Sequence, residues 1–146
     1  KTIKLSENLT YVANHAFYEC NSLETLTLGS KVTRIGQYSF AYAPKLKELI
    51  LPEGMTLVDD GAFWGATSLE KVYLPSTLET LGAGVFYDCA SLYDIELPLS
   101  LKDIQWWCFN GCSSLKEVSK NTLLEFSLSN VGIRDSIEQL KIRFLI

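Results

Sequence analysis

The chain has 146 residues, 47% of them hydrophobic, enough for one domain with a buried core. Its formal net charge of −4 argues against a surface that wraps a phosphate backbone, which needs a concentrated excess of Lys and Arg, so nucleic acid is not an expected partner. No apolar run reaches the roughly 18 residues that a membrane-spanning helix needs, and no signal-like apolar segment follows Lys1.

The amino end, KTIKL, reads as the last part of a strand, so the chain opens in mid-unit. Ile3 heads a column that recurs with a constant 23-residue step, at Leu26, Leu49, Val72, Ile95 and Val118, and Leu5 heads another at Leu28, Leu51, Leu74 and Leu97. Leu9 follows, leading Val32, Met55, Leu78 and Leu101, then Val12, leading Ile35, Val58, Leu81 and Ile104. Phe17 opens the series Phe40, Phe63, Phe86 and Phe109, and Leu23 opens Leu46, Leu69, Leu92 and Leu115. Columns held in register over this length define a structural repeat, and a repeat decides the fold before any single element does.

Within each unit the stretch from Leu23 to Leu28 and its copies alternates apolar and polar residues in its second half. Three copies stop at Pro52, Pro75 and Pro98, which lack the N–H that a continuing ladder would use. That pattern predicts one short strand per unit. What remains is too short for the crossover helix of a strand-helix-strand unit, which takes ~30 residues. Turns, with one helical or 3-10 turn around the Phe, are expected to carry the chain back. A coil this small cannot bury its own apolar side, so it stacks on copies of itself, with strands ~4.8 Å apart in one parallel sheet.

After Val118 the register slips. SIEQLKI at 136–142 echoes SLEKVYL at 68–74, and Leu123 and Phe126 continue the Leu101 and Ile104 columns with one position dropped from the intervening loop. The expectation is a single domain, 1–146, of about seven short strands joined by six coils, with 119–146 a degenerate terminal repeat. A competing reading makes 136–145 a helix whose start is boxed by Ser136 and Gln139.

Units such as SLEKVYLPSTLETLGAGVFYDCA (68–90) resemble the 23-residue leucine-rich repeats of the BspA-like, or treponemal, type, strongly over 1–118 and weakly beyond. Gly36 and Gly82 match the glycine of that pattern, Ala16 and Ala62 its alanine, and Cys20, Cys89 and Cys112 its cysteine. Asp59 and Gln105 depart from the glycine, Val85 and Cys108 from the alanine, and Ala43 and Ala66 from the cysteine. The resemblance implies a leucine-rich-repeat solenoid, that is, a right-handed β/α superhelix. It also implies a cell-surface or secreted, extracellular protein of the adhesin kind. Fold by itself does not fix function.

Catalysis needs convergent titratable groups, and His15 is the single histidine. It shares a column with Tyr38, Gly61, Gly84 and Trp107 and reads as a variable surface position. No nucleophile–His–acid set, Gly-rich phosphate loop or H-E-x-x-H motif accompanies it, so neither an enzyme nor a cofactor is expected. Cys89 and Cys112 would lie on adjacent coils about 5 Å apart, within disulfide range, but with parallel side-chain directions. Buried free thiols are the favoured reading, and the pairing stays open. Cys108-x-x-x-Cys112 lacks the paired spacing and the histidines of a zinc site.

The outward strand columns carry alternating charge: Glu24, Lys47 and Glu70, then Glu48, Lys71 and Asp94. Opposite charges on neighbouring strands contribute roughly 0.2–1 kcal/mol each and favour correct register. Ile50, Tyr73 and Tyr93 interrupt that ladder with rigid amphipathic surface of the kind enriched at interfaces. With Lys71 and Asp94 they form the candidate ligand surface. A second aromatic column, Tyr18, Trp64 and Tyr87, is expected to cover the interior, with Trp106 and Trp107 nearby. Asn8-Leu9-Thr10 is a glycosylation sequon whose Leu9 belongs to an interior column.

These features lead to a non-catalytic module that presents its sheet to a protein ligand, such as a host or neighbouring-cell surface protein. The alternative is a structural spacer within a longer multidomain surface protein. Open strand edges at the solenoid ends also allow end-to-end self-association.

Overall fold

The computed structural model describes residues 1–115 and the strand backbone of Ser119–Lys120. In chain order the strands are β1 (Thr2–Lys4), β2 (Tyr11–Val12), β3 (Thr25–Thr27), β4 (Arg34–Ile35), β5 (Glu48–Ile50), β6 (Leu57–Val58), β7 (Lys71–Tyr73), β8 (Thr80–Leu81), β9 (Asp94–Leu97), β10 (Asp103–Ile104) and β11 (Ser119–Lys120). Odd- and even-numbered strands alternate along the chain and form separate surfaces. All pairing is parallel, and partners are offset by one 23-residue period, as in Ile3 with Leu26, Leu49 with Val72 and Val12 with Ile35. The repeat period is thus the length of one turn of a stacked solenoid.

The expected solenoid is present, and two of its details need correction. The single sheet is instead two surfaces. The odd strands form a front sheet in two pieces, β1–β3 and β5–β7–β9–β11, while the even strands form a continuous five-stranded ladder, β2–β4–β6–β8–β10. Each even strand is two residues long, too short to leave an alternating pattern in the sequence. The second correction is that among the described residues no turn around the Phe is helical. Backbone N–H groups there donate across to the next coil, Phe17 to Ser39, Phe40 to Ala62 and Phe63 to Val85 at 2.8–3.0 Å, so they are unavailable for bonds four residues back. Left-handed backbone just before them, at His15, Tyr38, Gly61, Gly84 and Trp107, aims those groups along the stack.

The interior is a set of vertical columns. Phe40, Phe63 and Phe86 are fully buried, and successive Phe rings stack from Phe17 to Phe109 with centroids 5.1–6.0 Å apart. Leu46, Leu69 and Leu92 lie at zero exposure beside them, and Met55 and Leu78, which follow the front strands along the chain, are equally buried. At the amino end Ile3, Leu5, Leu9 and Phe17 are half-buried, because the coil there has a neighbour on one side. The expected degenerate repeat, 119–146, lies outside the described residues except for β11, whose Ser119 pairs with Glu96 in the same 23-residue register. The echo at 136–142, the columns at Leu123 and Phe126 and the competing helix at 136–145 also fall outside the described residues.

Cross-coil side chains reinforce the stack. The Oδ1 of Asn14 accepts from the Gln37 N–H and that of Asp60 from the Ala83 N–H, each at 2.9 Å. A Cβ on Gly36 or Gly82 would overlap those same carboxamide and carboxylate oxygens, which is why glycine stands there.

Candidate functional site

Strand alternation puts the outward residues of β5, β7 and β9 on one face of the front sheet, their inward neighbours Leu49, Val72 and Ile95 being buried. Ile50 (60% exposed) pairs in register with Tyr73 (48% exposed), making an apolar ridge across two strands. Tyr93 (49% exposed) stands just before β9 on the same face. The Lys71 Nζ lies 3.9 Å from the Asp94 carboxylate and 5.7 Å from the Tyr93 ring centroid, so one ammonium bridges an anion and an aromatic face. Attraction to Tyr93 and then to Tyr73 holds the Lys71 pKa above its ordinary value against the opposing effect of burial, and Asp94 adds the weakest contribution. The five candidates therefore share one face in two clusters, Ile50 with Tyr73 and Lys71 with Tyr93 and Asp94.

The expected charge ladder is only partly formed. Lys71–Asp94 is an ion pair, but among the described residues none joins Lys47 to Glu24 or Glu70. Glu24 and Lys47 flank the place where the front sheet is open: β3 and β5 are not joined by ladder bonds, and a groove of about 500 Å³ lies between them.

His15 is exposed and stacks on Tyr38 with centroids 5.5 Å apart. Among the described residues no group of three His, Cys, Asp or Glu side chains is placed to hold a metal ion. Cys20, Cys89, Cys108 and Cys112 are free, so the open question of pairing resolves to thiols. Burial pushes the Cys89 and Cys108 thiols well up and that of Cys112 up to about 12, and the Cys89 and Cys112 Sγ–H groups donate to the Phe63 and Phe86 carbonyls. Thiols in that state are poor nucleophiles and poor metal ligands. Trp64 stacks on Tyr87 at 4.0 Å, as a cover for the interior should, while Tyr18 meets Tyr42 edge-on and remains exposed.

The 23-residue registry has a counterpart among known proteins. The model of the BspA type leucine rich repeat region matches in six copies, over residues 1–116 and 33–143. The chain belongs to the BspA-type leucine-rich repeat family. A leucine-rich repeat protein of T. pallidum is 35% identical with a TM-score of 0.78, covering 80% of this chain and 57% of its own. One from Bacteroides ovatus is 31% identical with a TM-score of 0.61, covering 81% of this chain and 37% of its own. A third structure, a leucine rich cell surface protein from Faecalibacterium prausnitzii, shares the fold at 24% identity with a TM-score of 0.75, over 89% of this chain and 35% of its own. The chain thus spans less than two thirds of each. No curated protein matches it.

Within this BspA-type repeat, one departure from the family pattern has a local cause. Asp59, at a glycine position, accepts from the Arg34 guanidinium at 2.6 Å and from the Asp60 N–H at 3.0 Å. Leucine-rich repeats are generally a non-catalytic protein-interaction fold. Two features of this one are not apparent from the repeat pattern alone. Leu99 (56% exposed) occupies the column of Ser30 and Ser76, and an apolar residue in an otherwise polar column was the available signal. The rings of His15, Tyr38 and Tyr42 extend the aromatic column sideways, and only their left-handed backbone, invisible in sequence, places them there.

Proposed function

We propose that this chain is a non-catalytic protein-binding module of a cell-surface or secreted adhesin-like protein, which presents its front sheet to a protein ligand. The observation that carries this reading is the apolar ridge of Ile50 and Tyr73, with Tyr93 beside it, exposed on a face whose other outward residues are charged or small and polar. Rigid aromatic side chains on strands lose little conformational entropy on binding, which makes them effective anchors. The extracellular location and the adhesive role are carried by the family resemblance. Replacing Tyr73 and Tyr93 together by Ala should weaken binding to the partner protein at least tenfold, about 1.4 kcal/mol, and leave the melting temperature nearly unchanged. Full binding with a lowered melting temperature would reverse the assignment, making the tyrosines structural.

A second reading, a spacer in a longer multidomain surface protein, is favoured by one observation: the solved relatives are considerably longer than this chain. In that case the isolated chain captures nothing that the full-length protein binds. Separately, open strand edges would let the isolated chain associate end to end, and a sedimentation profile that shifts with concentration would show it.

A further inference from the structure

The β5–β7 ladder runs its full length: Ile50 pairs with Tyr73, and the Leu51 N–H continues to the Tyr73 carbonyl at 3.0 Å. At β1–β3 the corresponding bond joins the Leu5 N–H to the Thr27 carbonyl at 2.9 Å. Between β7 and β9 the pairing stops at Val72 with Ile95, and no such bond runs from Leu74 to Glu96 among the described residues. The two strands fork there, leaving a backbone donor and a backbone acceptor on opposite sides of a groove of about 490 Å³. That volume is in the range of sites that enclose a small ligand or an anchoring side chain.

The walls of the groove indicate what fits. Tyr73, Leu74, Pro98 and Leu99 give it an apolar end, with Tyr73 and Leu99 each about half exposed. Lys71, Asp94 and Glu96 line the rest, two anions to one cation, and the cation already faces Asp94. Among the described residues no cation pairs with Glu96. The groove between β3 and β5 is less discriminating, since Lys45 and Lys47 there balance Glu24 and Glu48. An open N–H facing an open carbonyl is the complement of one peptide group, whose oxygen accepts from the first and whose N–H donates to the second.

We propose that the fork between β7 and β9 receives an extended segment of the partner protein. One of its large apolar side chains lodges against Tyr73 and Leu99, and an adjacent Lys or Arg meets Glu96. This rests on the front-sheet reading above and names the recognition element within it. The peptide group between those two side chains bridges the Leu74 N–H and the Glu96 carbonyl. The apolar anchor supplies affinity, and the Glu96 carboxylate selects against acidic neighbours.

The test is an amide-resolved NMR titration of the intact chain with short, terminally blocked peptides. They carry phenylalanine or alanine at the centre and lysine or glutamate beside it. The phenylalanine–lysine peptide should shift the Leu74 and Leu99 resonances saturably and bind about tenfold tighter than its glutamate or alanine counterparts. Glu96→Gln should abolish the lysine preference while keeping the phenylalanine preference, and Leu99→Ser should do the reverse, with unchanged spectra elsewhere as the control for folding. Shifts that miss Leu74, equal binding of lysine and glutamate peptides, or no binding at all would overturn the proposal. If Tyr73→Ala with Tyr93→Ala loses the partner protein while Glu96→Gln and Leu99→Ser keep it, the fork is not the recognition element and the front-sheet reading stands. If the tyrosine variant keeps the partner as well, the front-sheet reading itself fails.

Discussion

Single residues in this solenoid are chosen by what the coil above or below leaves room for. The column of Glu19, Tyr42, Gly65, Asp88 and Gly111 has left-handed backbone throughout, with φ between 56° and 78°. A side chain costs roughly 1–2 kcal/mol there, against the roughly 0.5–1 kcal/mol of extra chain entropy that glycine loses on folding. Glu19→Gly should therefore stabilise the chain by up to about 1 kcal/mol in thermal unfolding, because Glu19 is exposed and gives up only a solvent-screened contact with the neighbouring Tyr18. Gly65→Ala should do the opposite, by roughly 1–3 kcal/mol, since a Cβ there would meet the Tyr42 ring at 2.9 Å as well as the strained backbone. Charge acts across coils in the same way. The Ser30 N–H and hydroxyl both donate to the Glu7 carboxylate, at 2.9 and 3.1 Å, and these bonds, the backbone one first, hold its pKa below the ordinary 4.5. A carboxylate depressed on folding adds stability above its unfolded pKa, and that stability is lost as pH falls through the folded value. Melting temperatures of the wild type and Glu7→Gln should thus differ near neutral pH and converge below pH 4.5. A difference that grows on acidification would show that Glu7 does not act as an ionised acceptor.

Elements were legible in proportion to how much periodicity they carry. The buried Phe and Leu columns could be read directly, because each side chain meets its own kind one coil away and a polar residue there would be left without a partner. The even strands could not, since two residues such as Tyr11–Val12 show one inward and one outward side chain and no repeat. Left-handed turns stayed hidden because His15, Tyr38 and Trp107 occupy a conformation that only Gly61 and Gly84 advertise. Of the candidate surface, Ile50, Tyr73 and Tyr93 stood out as exceptions in charged columns. The forks in the front sheet had no sequence signature, because hydrogen-bond pairing depends on how two coils settle together. The Phe column gives a graded test. Phe63→Ala removes a fully buried ring from the middle of the stack and should cost about 3–5 kcal/mol. Phe17→Ala removes the half-buried terminal ring and should cost about half as much in denaturant unfolding. Equal costs would mean that the column does not behave as a stack with an open end.

At the scale of the molecule, a solenoid's stability is close to a sum of coil and neighbour terms, so whole coils are exchangeable units and fragments of coils are not. Deleting 63–85, one full repeat, joins Ala62 to Phe86 and restores an intact turn, with Phe40 facing Phe86 as it faced Phe63. Deleting only 71–85 is the smaller change, but it takes out β7 and β8 and leaves two Phe turns in succession with no strand between them. The larger deletion should keep a cooperative unfolding transition, lowered by one coil interface, and the smaller should abolish it, as followed by circular dichroism and amide exchange. Similar behaviour of the two would show that the 23-residue registry does not govern stacking. The larger deletion also discards Tyr73 and the fork between β7 and β9 while preserving the solenoid. It therefore separates scaffold from surface: a folded, shortened chain that no longer engages the partner locates recognition in that coil, whereas retained binding assigns it to the coils that remain.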